Sequence, residues 1–331
     1  MKNVLITGIA GLLGSQLARW IKANAPEVSV IGIDDFSNGH EENIPVRTMF
    51  IQGDVAGPTL GCIFDQYRPE YVFHFAAYAA ECLSPFIRKY NYQNNLIATA
   101  NVVNHCVNYG VKRLVFTSSM AVYGKGNAPF SENDQCNPVD PYGVAKLACE
   151  QDIRIAGEQH GLDYCVLRPH NVFGEGQNIW DKYRNVIGIW MRQALAGLPM
   201  TIYGTGDQVR AFSYIGNCLE PIWRAATEGK ASRQTINLGG TVPMTINAMC
   251  EAVSNATSIN YRSYLEGRKE VSEAWSTSEK SVDILGYKET VDIQEAISRM
   301  WIWAKAQRPR EPMIFPGFEI DRGLYSYWRS A

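Results

Sequence analysis

Apolar and polar residues are distributed along this chain in alternating blocks. Short apolar runs fall at Asn3 to Thr7, Val28 to Ile33, Tyr71 to Phe75, Leu114 to Ser118 and Asp163 to Arg168, with longer polar-periodic segments between them. Such runs read as buried strands and the intervening segments as helices, which predicts a parallel sheet with helices on both faces. Between Tyr92 and Tyr109, Leu96, Thr99, Val102, Val103, Cys106 and Val107 recur at helical spacing, and Gly110 supplies the stop. A second such helix is expected over Tyr142 to Gly161, entered through Pro138 and Pro141. After Arg168 and Pro169 the alternation fails, and a segment rich in Gly, Trp and Tyr from Asn171 to Arg210 opens a second lobe. The expected division is residues 1–168 and 169–331, interleaved because the strand-like Gln234 to Leu238 rejoins the first sheet. A last long helix is expected from Val291 to Gln307, closed by Pro309. Beyond it, Phe315, Phe318, Tyr325, Tyr327 and Trp328 are too aromatic for a disordered tail, so the end of the chain is expected to pack on the body or on a partner subunit.

The first apolar run leads straight into Gly8, Gly11 and Gly14 and then into a helical segment. Gly8 permits a tight turn, Gly11 lets backbone approach a pyrophosphate, and Gly14 lets the helix pack close to the strand with its N-terminus facing phosphates. The next strand ends in Asp34 and Asp35, about 20 residues on, where a carboxylate binds ribose hydroxyls and repels a 2′-phosphate. The cofactor expected is therefore NAD, in preference to NADP. A P-loop is excluded, because no Gly-Lys-Ser/Thr closes the motif.

Composition narrows the partners. With 331 residues, a formal net charge of -2 and 19% charged residues, the chain has room for a large core but no basic footprint for nucleic acid and no cluster for a membrane surface. Neither a secretory signal nor a membrane span is read, so a cytoplasmic location is expected. The 8 cysteines show no C-x-x-C spacing, and His40, His74, His105, His160 and His170 are scattered without a ligand pattern, so neither a disulfide framework nor a metal is assigned.

Tyr142 and Lys146 stand one turn apart on a predicted helix face. A neighbouring ammonium stabilises phenolate, so this tyrosine is expected to act as a base near neutral pH, far below its unperturbed value of ~10. Upstream, the strand through Val115 to Ser119 delivers hydroxyls to the ligand crevice, where a serine can bond the reacting oxygen. Alone, the Tyr and Lys spacing is common on ordinary helices; joined to the glycine turn and the serine strand, it points to chemistry.

With these residues together, the chain resembles the extended short-chain dehydrogenase/reductases, and among them the nucleotide-sugar epimerase/dehydratase branch that includes UDP-galactose 4-epimerase. The resemblance covers nearly the whole sequence. It implies a Rossmann-type doubly wound parallel sheet with a smaller C-terminal α/β substrate lobe. It implies that Gly8, Gly11, Leu12, Leu13 and Gly14 cradle NAD, that Asp34 and Asp35 hold its ribose, and that Asp54 and Val55 flank its adenine. Phe75, Ala76, Ala77, Asn95 and His170, with Tyr142 and Lys146, fall at the family's further cofactor positions. The catalytic triad is implied at Ser119, Tyr142 and Lys146, and substrate contacts at Ser119, Tyr142, Asn171, Tyr203, Arg210 and Arg268. Two guanidinium groups suit a sugar diphosphate because each offers a planar fork of donors; surface ion pairing of Arg210 and Arg268 is the plainer alternative.

The departures choose among reactions. Sugar-nucleotide dehydratases carry an acidic pair after the Ser/Thr, whereas this chain has Met120 and Ala121, which leaves no carboxylate there to protonate a leaving hydroxyl. A 4-epimerase needs none. The resemblance thus implies an NAD-dependent nucleotide-sugar 4-epimerase, acting on a UDP-hexose or UDP-N-acetylhexosamine through a 4-keto intermediate. A reductase, a 3,5-epimerase, a dehydratase and a non-catalytic NAD-binding sensor remain alternatives. The stretch Tyr78 to Cys82 is not the common version, and Glu81 within it is placed to meet an unusual sugar substituent. One alignment puts a small gate residue, Ala274, where an N-acetyl group would pass. The family's habit of pairing its two long helices, here Tyr92 to Tyr109 and Tyr142 to Gly161, implies a homodimer.

Overall fold

The computed structural model describes residues 3–329, so the outermost two residues at each end of the spans expected from sequence lie outside the described residues. Its centre is a parallel sheet of β1 (Asn3–Thr7), β2 (Ser29–Asp34), β3 (Met49–Gln52), β4 (Tyr71–His74), β5 (Arg113–Thr117) and β6 (Tyr164–Pro169), completed by the strand Gln234–Leu238. The order across the sheet is Gln234–Leu238, β6, β5, β4, β1, β2, β3. From β1 the chain moves outward through β2 and β3, then returns to β4 on the other side of β1. That reversal leaves a crevice beyond the carboxyl ends of β1 and β4, where open α/β sheets bind ligands.

Successive residues of a strand face opposite sides, and this sheet is buried on both. Val4, Ile6, Phe73, Val115 and Leu167 pack on one face with α1 (Leu12–Asn24) and the helix Ile215–Thr227. Leu5, Ile31, Val72, Leu114 and Phe116 pack on the other against α2 (Thr59–Tyr67) and the two long helices. The first of these begins as α3 (Arg88–Tyr92), passes through a π-helical turn over Gln93–Ile97 and continues as α4 (Ala98–Asn108). The second is α5 (Pro141–His160), which starts where Asp140 accepts from the Gly143 N–H at 2.9 Å with Pro141 at its first position.

The strands read from sequence lie within a residue or so of those observed, and Asn3–Thr7 and Gln234–Leu238 coincide with them. Strand β3 was not among the expected runs; it is a short edge strand whose residues are half-buried or exposed, so it lacks the continuous apolar signal of its neighbours. The expected helix from Tyr92 starts earlier, at Arg88, and the π turn breaks the regular period that the apolar residues suggested.

The second lobe packs the helices Val186–Leu195, Ile246–Thr257 and Ile293–Lys305 around Phe173, Trp190, Ile202, Ile297 and Met300. The aromatic C-terminal segment lies on the body. Phe315, Leu324, Tyr325 and Trp328 join Tyr78, Leu83, Phe86 and Tyr183 in one cluster, and the Glu319 carboxylate accepts from the Lys89 and Tyr90 N–H groups at 2.7 and 2.9 Å, where α3 begins. Among the described residues no helix is long and apolar enough to cross a membrane.

A tight backbone fit holds α1 against β1. A Cβ on Gly14 would stand 2.3 Å from the Gly8 carbonyl oxygen and 2.6 Å from the Ile9 Cα, both backbone atoms that cannot swing aside. Gly14→Ala is therefore expected to destabilise the protein by about 1–3 kcal/mol, the range for overpacking, and to strip it of co-purifying dinucleotide. Gly229→Ala, where a Cβ meets nothing within 4 Å, is the control expected to change neither. Urea midpoints and the cofactor content of the purified variants measure both effects.

Candidate active site

A cleft of ≈ 380 Å³ opens over the carboxyl ends of β1, β4 and β5 and runs between the lobes. Its floor is the glycine turn. Gly8 has φ 70, and a Cβ there would lie 2.7 Å from the Ala76 amide nitrogen. Gly11 is the N-cap of α1 and brings no side-chain cap, so the helix presents its free N–H groups to the cleft. A backbone cradle with no room for side chains, at an uncapped helix N-terminus, fits a pyrophosphate. Leu12, Leu13 and Gly14 line the same cleft, as do Asp54, Val55, Phe75, Ala76 and Ala77. Asp34 and Asp35 line it too. Asp34 accepts from the Ala10 N–H through one oxygen and the Phe36 N–H through the other, each at 2.9 Å, which fixes the carboxylate and leaves lone pairs for ribose hydroxyls.

The ends of β1 and β4 are tied by a hydrogen-bonded relay. The Thr99 hydroxyl donates to the Asn95 carbonyl at 2.6 Å and therefore accepts from His74 Nε2 at 3.0 Å. His74 Nδ1 is left to accept from the Thr7 hydroxyl at 2.7 Å, and the Thr7 oxygen in turn accepts from the Phe75 and Ala76 N–H groups at 3.2 and 3.1 Å. The relay holds the Ala76 wall opposite the glycine turn.

Ser119, Tyr142 and Lys146 line the cleft together. The serine oxygen accepts from the Ala121 N–H at 3.1 Å, which pins the turn after β5. Behind it, the Ser118 hydroxyl donates to Glu150 on α5, and Glu150 receives both forks of Arg168 on β6, at 2.9 and 2.6 Å. The expectation that Lys146 lowers the Tyr142 pKa is corrected by this geometry. Lys146 Nζ donates to the Thr117 carbonyl at 2.7 Å and sits 5.9 Å from the Tyr142 ring centroid. Burial, followed by the Glu81 carboxylate, pushes the Tyr142 phenol up, against the bond from Ser119 and the charge of Arg184. Burial likewise brings Lys146 down to about 8. The residues of the chain alone hold the phenol protonated.

The sugar-facing residues divide. Asn171, Arg210 and Arg268 line the cleft. Asn171 adopts φ 34 and donates to the Ala211 carbonyl at 2.9 Å. Arg210 is paired with Glu270 at 2.8 Å, so the ion-pair reading and the cleft-facing reading hold at once. Arg268 lies 3.6 Å over the Tyr203 ring, with Tyr327 and Trp328 on its other sides, and its Nε and Nη2 make no hydrogen bond among the described residues.

Three residues expected at the site do not line the cleft. Asn95 turns inward from the π turn, accepts from the Tyr78 N–H at 2.9 Å and donates back to the Tyr78 carbonyl, while its neighbour Asn94 takes the cleft position. His170 is buried between the Leu238 carbonyl and the Ser276 hydroxyl, the latter at 2.6 Å. Tyr203 acts as the platform beneath Arg268 and not as a wall of the cleft. Ala274 packs against the cluster of Met120, Val122, Tyr123 and Phe130, so it does not gate the cleft. Sequence reasoning in turn passed over Asn38, Asn178 and Arg184, which line it. Arg184 and Asn178 both donate to Asn38, at 2.6 Å and 3.0 Å, and so join the loop after Asp35 to the second lobe. For Asn178 and Arg184 the signal was the change of composition over 171–210, which marked a lobe without marking contacts.

A model of the NAD dependent epimerase/dehydratase family matches residues 4–239. The chain belongs to that family. It is 28% identical over 306 residues to a putative UDP-glucose 4-epimerase of Methanocaldococcus jannaschii, covering 91% of this chain and 98% of the relative. Among solved structures, the Thermus thermophilus UDP-glucose 4-epimerase complex with NAD superposes with a TM-score of 0.85 at 26% identity, over 92% of this chain and 99% of the other. The UDP-N-acetylglucosamine 4-epimerase of Methanobrevibacter ruminantium, in complex with UDP-N-acetylmuramic acid, superposes with a TM-score of 0.83 at 30% identity, over 91% and 97%. The cofactor of this family member is NAD.

Burial keeps two histidines behind the site neutral. It takes His170 down to about 4 and, with Lys146 as the lesser cause, His74 down to about 3. In the unfolded chain both return to ~6.5. Folded values below unfolded ones mean that their contribution is complete above pH 6.5 and is lost as pH falls toward 4, at up to about 1.4 kcal/mol per pH unit for each group. The stability difference between the wild type and His170→Asn is therefore expected to shrink from pH 6.5 to pH 4.5; urea titrations at several pH values measure it, and a pH-independent difference would rule out a neutral buried His170.

Proposed function

We infer that this chain is an NAD-dependent nucleotide-sugar 4-epimerase, with Ser119, Tyr142 and Lys146 as its catalytic residues. One observation carries the choice of reaction: the triad lines the cleft beside the cofactor cradle, while the positions after Ser119 are Met120 and Ala121, with no carboxylate to protonate a leaving hydroxyl. NAD, when bound, supplies the two-electron oxidation of the sugar C4 and its reversal, and the positive charge of its oxidised ring opposes the burial that raises Tyr142.

In this reading Tyr142 takes the proton of the sugar 4-hydroxyl and later returns it, while Ser119 donates a hydrogen bond to the same oxygen as it becomes a carbonyl. Lys146, anchored on the Thr117 carbonyl, binds nicotinamide ribose and keeps positive charge near the phenol. Arg268, with unpartnered donors, and Arg210 hold the diphosphate, and Asn171 orients it. The sugar turns over about the phosphate linkage, so the returned proton and electrons meet its other face. No net oxidation results. UDP is the nucleotide we assign, with glucose or N-acetylglucosamine as the sugar, because similar proteins carry those names. We further propose a homodimer formed through α5 and the helix of the π turn and α4, whose outward faces expose Ile97, Val144 and Ile155; light scattering is expected to give twice the chain mass.

Incubated without reductant, the protein is expected to convert UDP-glucose or UDP-N-acetylglucosamine to its 4-epimer, read from the anomeric and H4 signals in NMR, at constant absorbance of reduced cofactor. Tyr142→Phe should lower turnover by about 10²–10⁴, the range for a lost proton-transfer group, and retain NAD; unimpaired turnover would end the assignment.

A further inference from the structure

Among the charged groups of the cleft that the proposed reaction does not use is the carboxylate of Glu81. It stands in the turn Ala80–Ser84, whose Ser84 N–H donates to the Ala80 carbonyl at 2.9 Å and whose Ser84 hydroxyl donates to the Glu81 carbonyl at 2.8 Å. The Tyr142 N–H in turn donates to the Ser84 oxygen at 3.1 Å. The backbone of Glu81 is thereby fixed to the first turn of the helix that carries the proposed base. Its side chain lines the cleft and, among the described residues, accepts no hydrogen bond and forms no ion pair. The side chain is exposed to the open cleft, and with its turn bonded to the Tyr142 N–H it stands at the end that holds the proposed base; desolvation by the cleft walls, followed by the nearby Asp140 carboxylate, pushes Glu81 up to about 7.

The cations that share this wall are committed. Arg210 spends its donors on Glu270 and on the carbonyls of Val209, Val271 and Ser272, at 2.8 to 3.2 Å. Arg184 is bonded to Asn38 at 2.6 Å and lies 5.6 Å over the Tyr78 ring. Arg268 keeps free donors, but it is caged over Tyr203 at the diphosphate end. Glu81 is thus left, among the described residues, as a cleft carboxylate with no cation bonded to it and with the Asp140 carboxylate nearby. A carboxylate that a bound sugar would shut off from water favours a donor and penalises a second anion.

We propose that Glu81 is the specificity-determining residue of the sugar pocket: it accepts a hydrogen bond from a donor on the pyranose, a hydroxyl or an ammonium, and excludes sugars that carry a carboxylate. This rests on the nucleotide-sugar epimerase reading and adds its substrate class, neutral or amino hexoses and not hexuronates. The test uses the NAD-loaded protein and its Glu81→Gln variant with UDP-glucose, UDP-glucosamine and UDP-glucuronate, with turnover followed by NMR and binding by calorimetry. The wild type is expected to favour UDP-glucose over UDP-glucuronate by at least about tenfold in kcat/KM and in Kd, and Glu81→Gln to narrow that ratio by about tenfold, chiefly through the KM for the uronate. Tighter binding of UDP-glucosamine than of UDP-glucose would identify the donor as an ammonium, and the reverse order as a hydroxyl. Equal or preferred use of UDP-glucuronate, or a ratio unmoved in the variant, would overturn the proposal. Should no sugar be turned over, the epimerase reading fails, yet the wild-type Kd ranking, which needs no variant and no catalysis, still decides the role of Glu81.

Discussion

The approach of α1 to the end of β1 is the contact on which the site depends. Because Gly14 lies directly against the Gly8 carbonyl, the helix axis is brought close to the strand and its uncapped N-terminus opens into the crevice at the sheet's reversal point. From there the geometry passes outward through backbone. Thr7, at the end of β1, receives the Phe75 and Ala76 N–H groups, and the chain beyond β4 turns at Ala80–Ser84 to receive the Tyr142 N–H. The cofactor cradle and the proposed base are thus linked by short segments with few free torsions. Preorganisation of this kind suits a reaction whose groups must stay aligned in both directions.

Beneath that surface lies a buried ion pair whose value is positional. Arg168 and Glu150 are almost fully enclosed and join in a fork of two bonds, and Tyr123 stacks beneath the guanidinium at 4.7 Å. Burying such a pair gains little net stability over apolar packing, because desolvation offsets the attraction. What it does here is couple β6 to α5 and, through Ser118, to the turn that carries Ser119. The serine and the tyrosine of the triad come from different elements, and this pair sets their spacing.

What could be read from the sequence was whatever is local. Gly8, Gly14, Asp34, Ser119, Tyr142 and Lys146 sit in motifs where spacing dictates backbone geometry, and they line the cleft together. Asn95, His170 and Tyr203 lie in motifs as well, yet their side chains point away from the cleft. Direction at those positions is set by the π turn, by the Ser276 hydroxyl and by Arg268, all supplied from outside the motif. The same holds for the Tyr142 pKa: the lysine one turn away was visible, whereas the burial and the Glu81 carboxylate that outweigh it arise only from the fold. Asn38 and Arg184 escaped notice because they meet across the lobe boundary, 146 positions apart in the chain.

The C-terminal aromatic segment joins what the sheet alone leaves separate. Its Trp328 and Tyr327 rings flank Arg268 in one lobe, and Glu319 closes the start of α3 in the other. The segment therefore ties the two lobes together, by stacked rings on one side and by a carboxylate on the other, so a motion that parts Arg268 from α3 has to part those contacts with it.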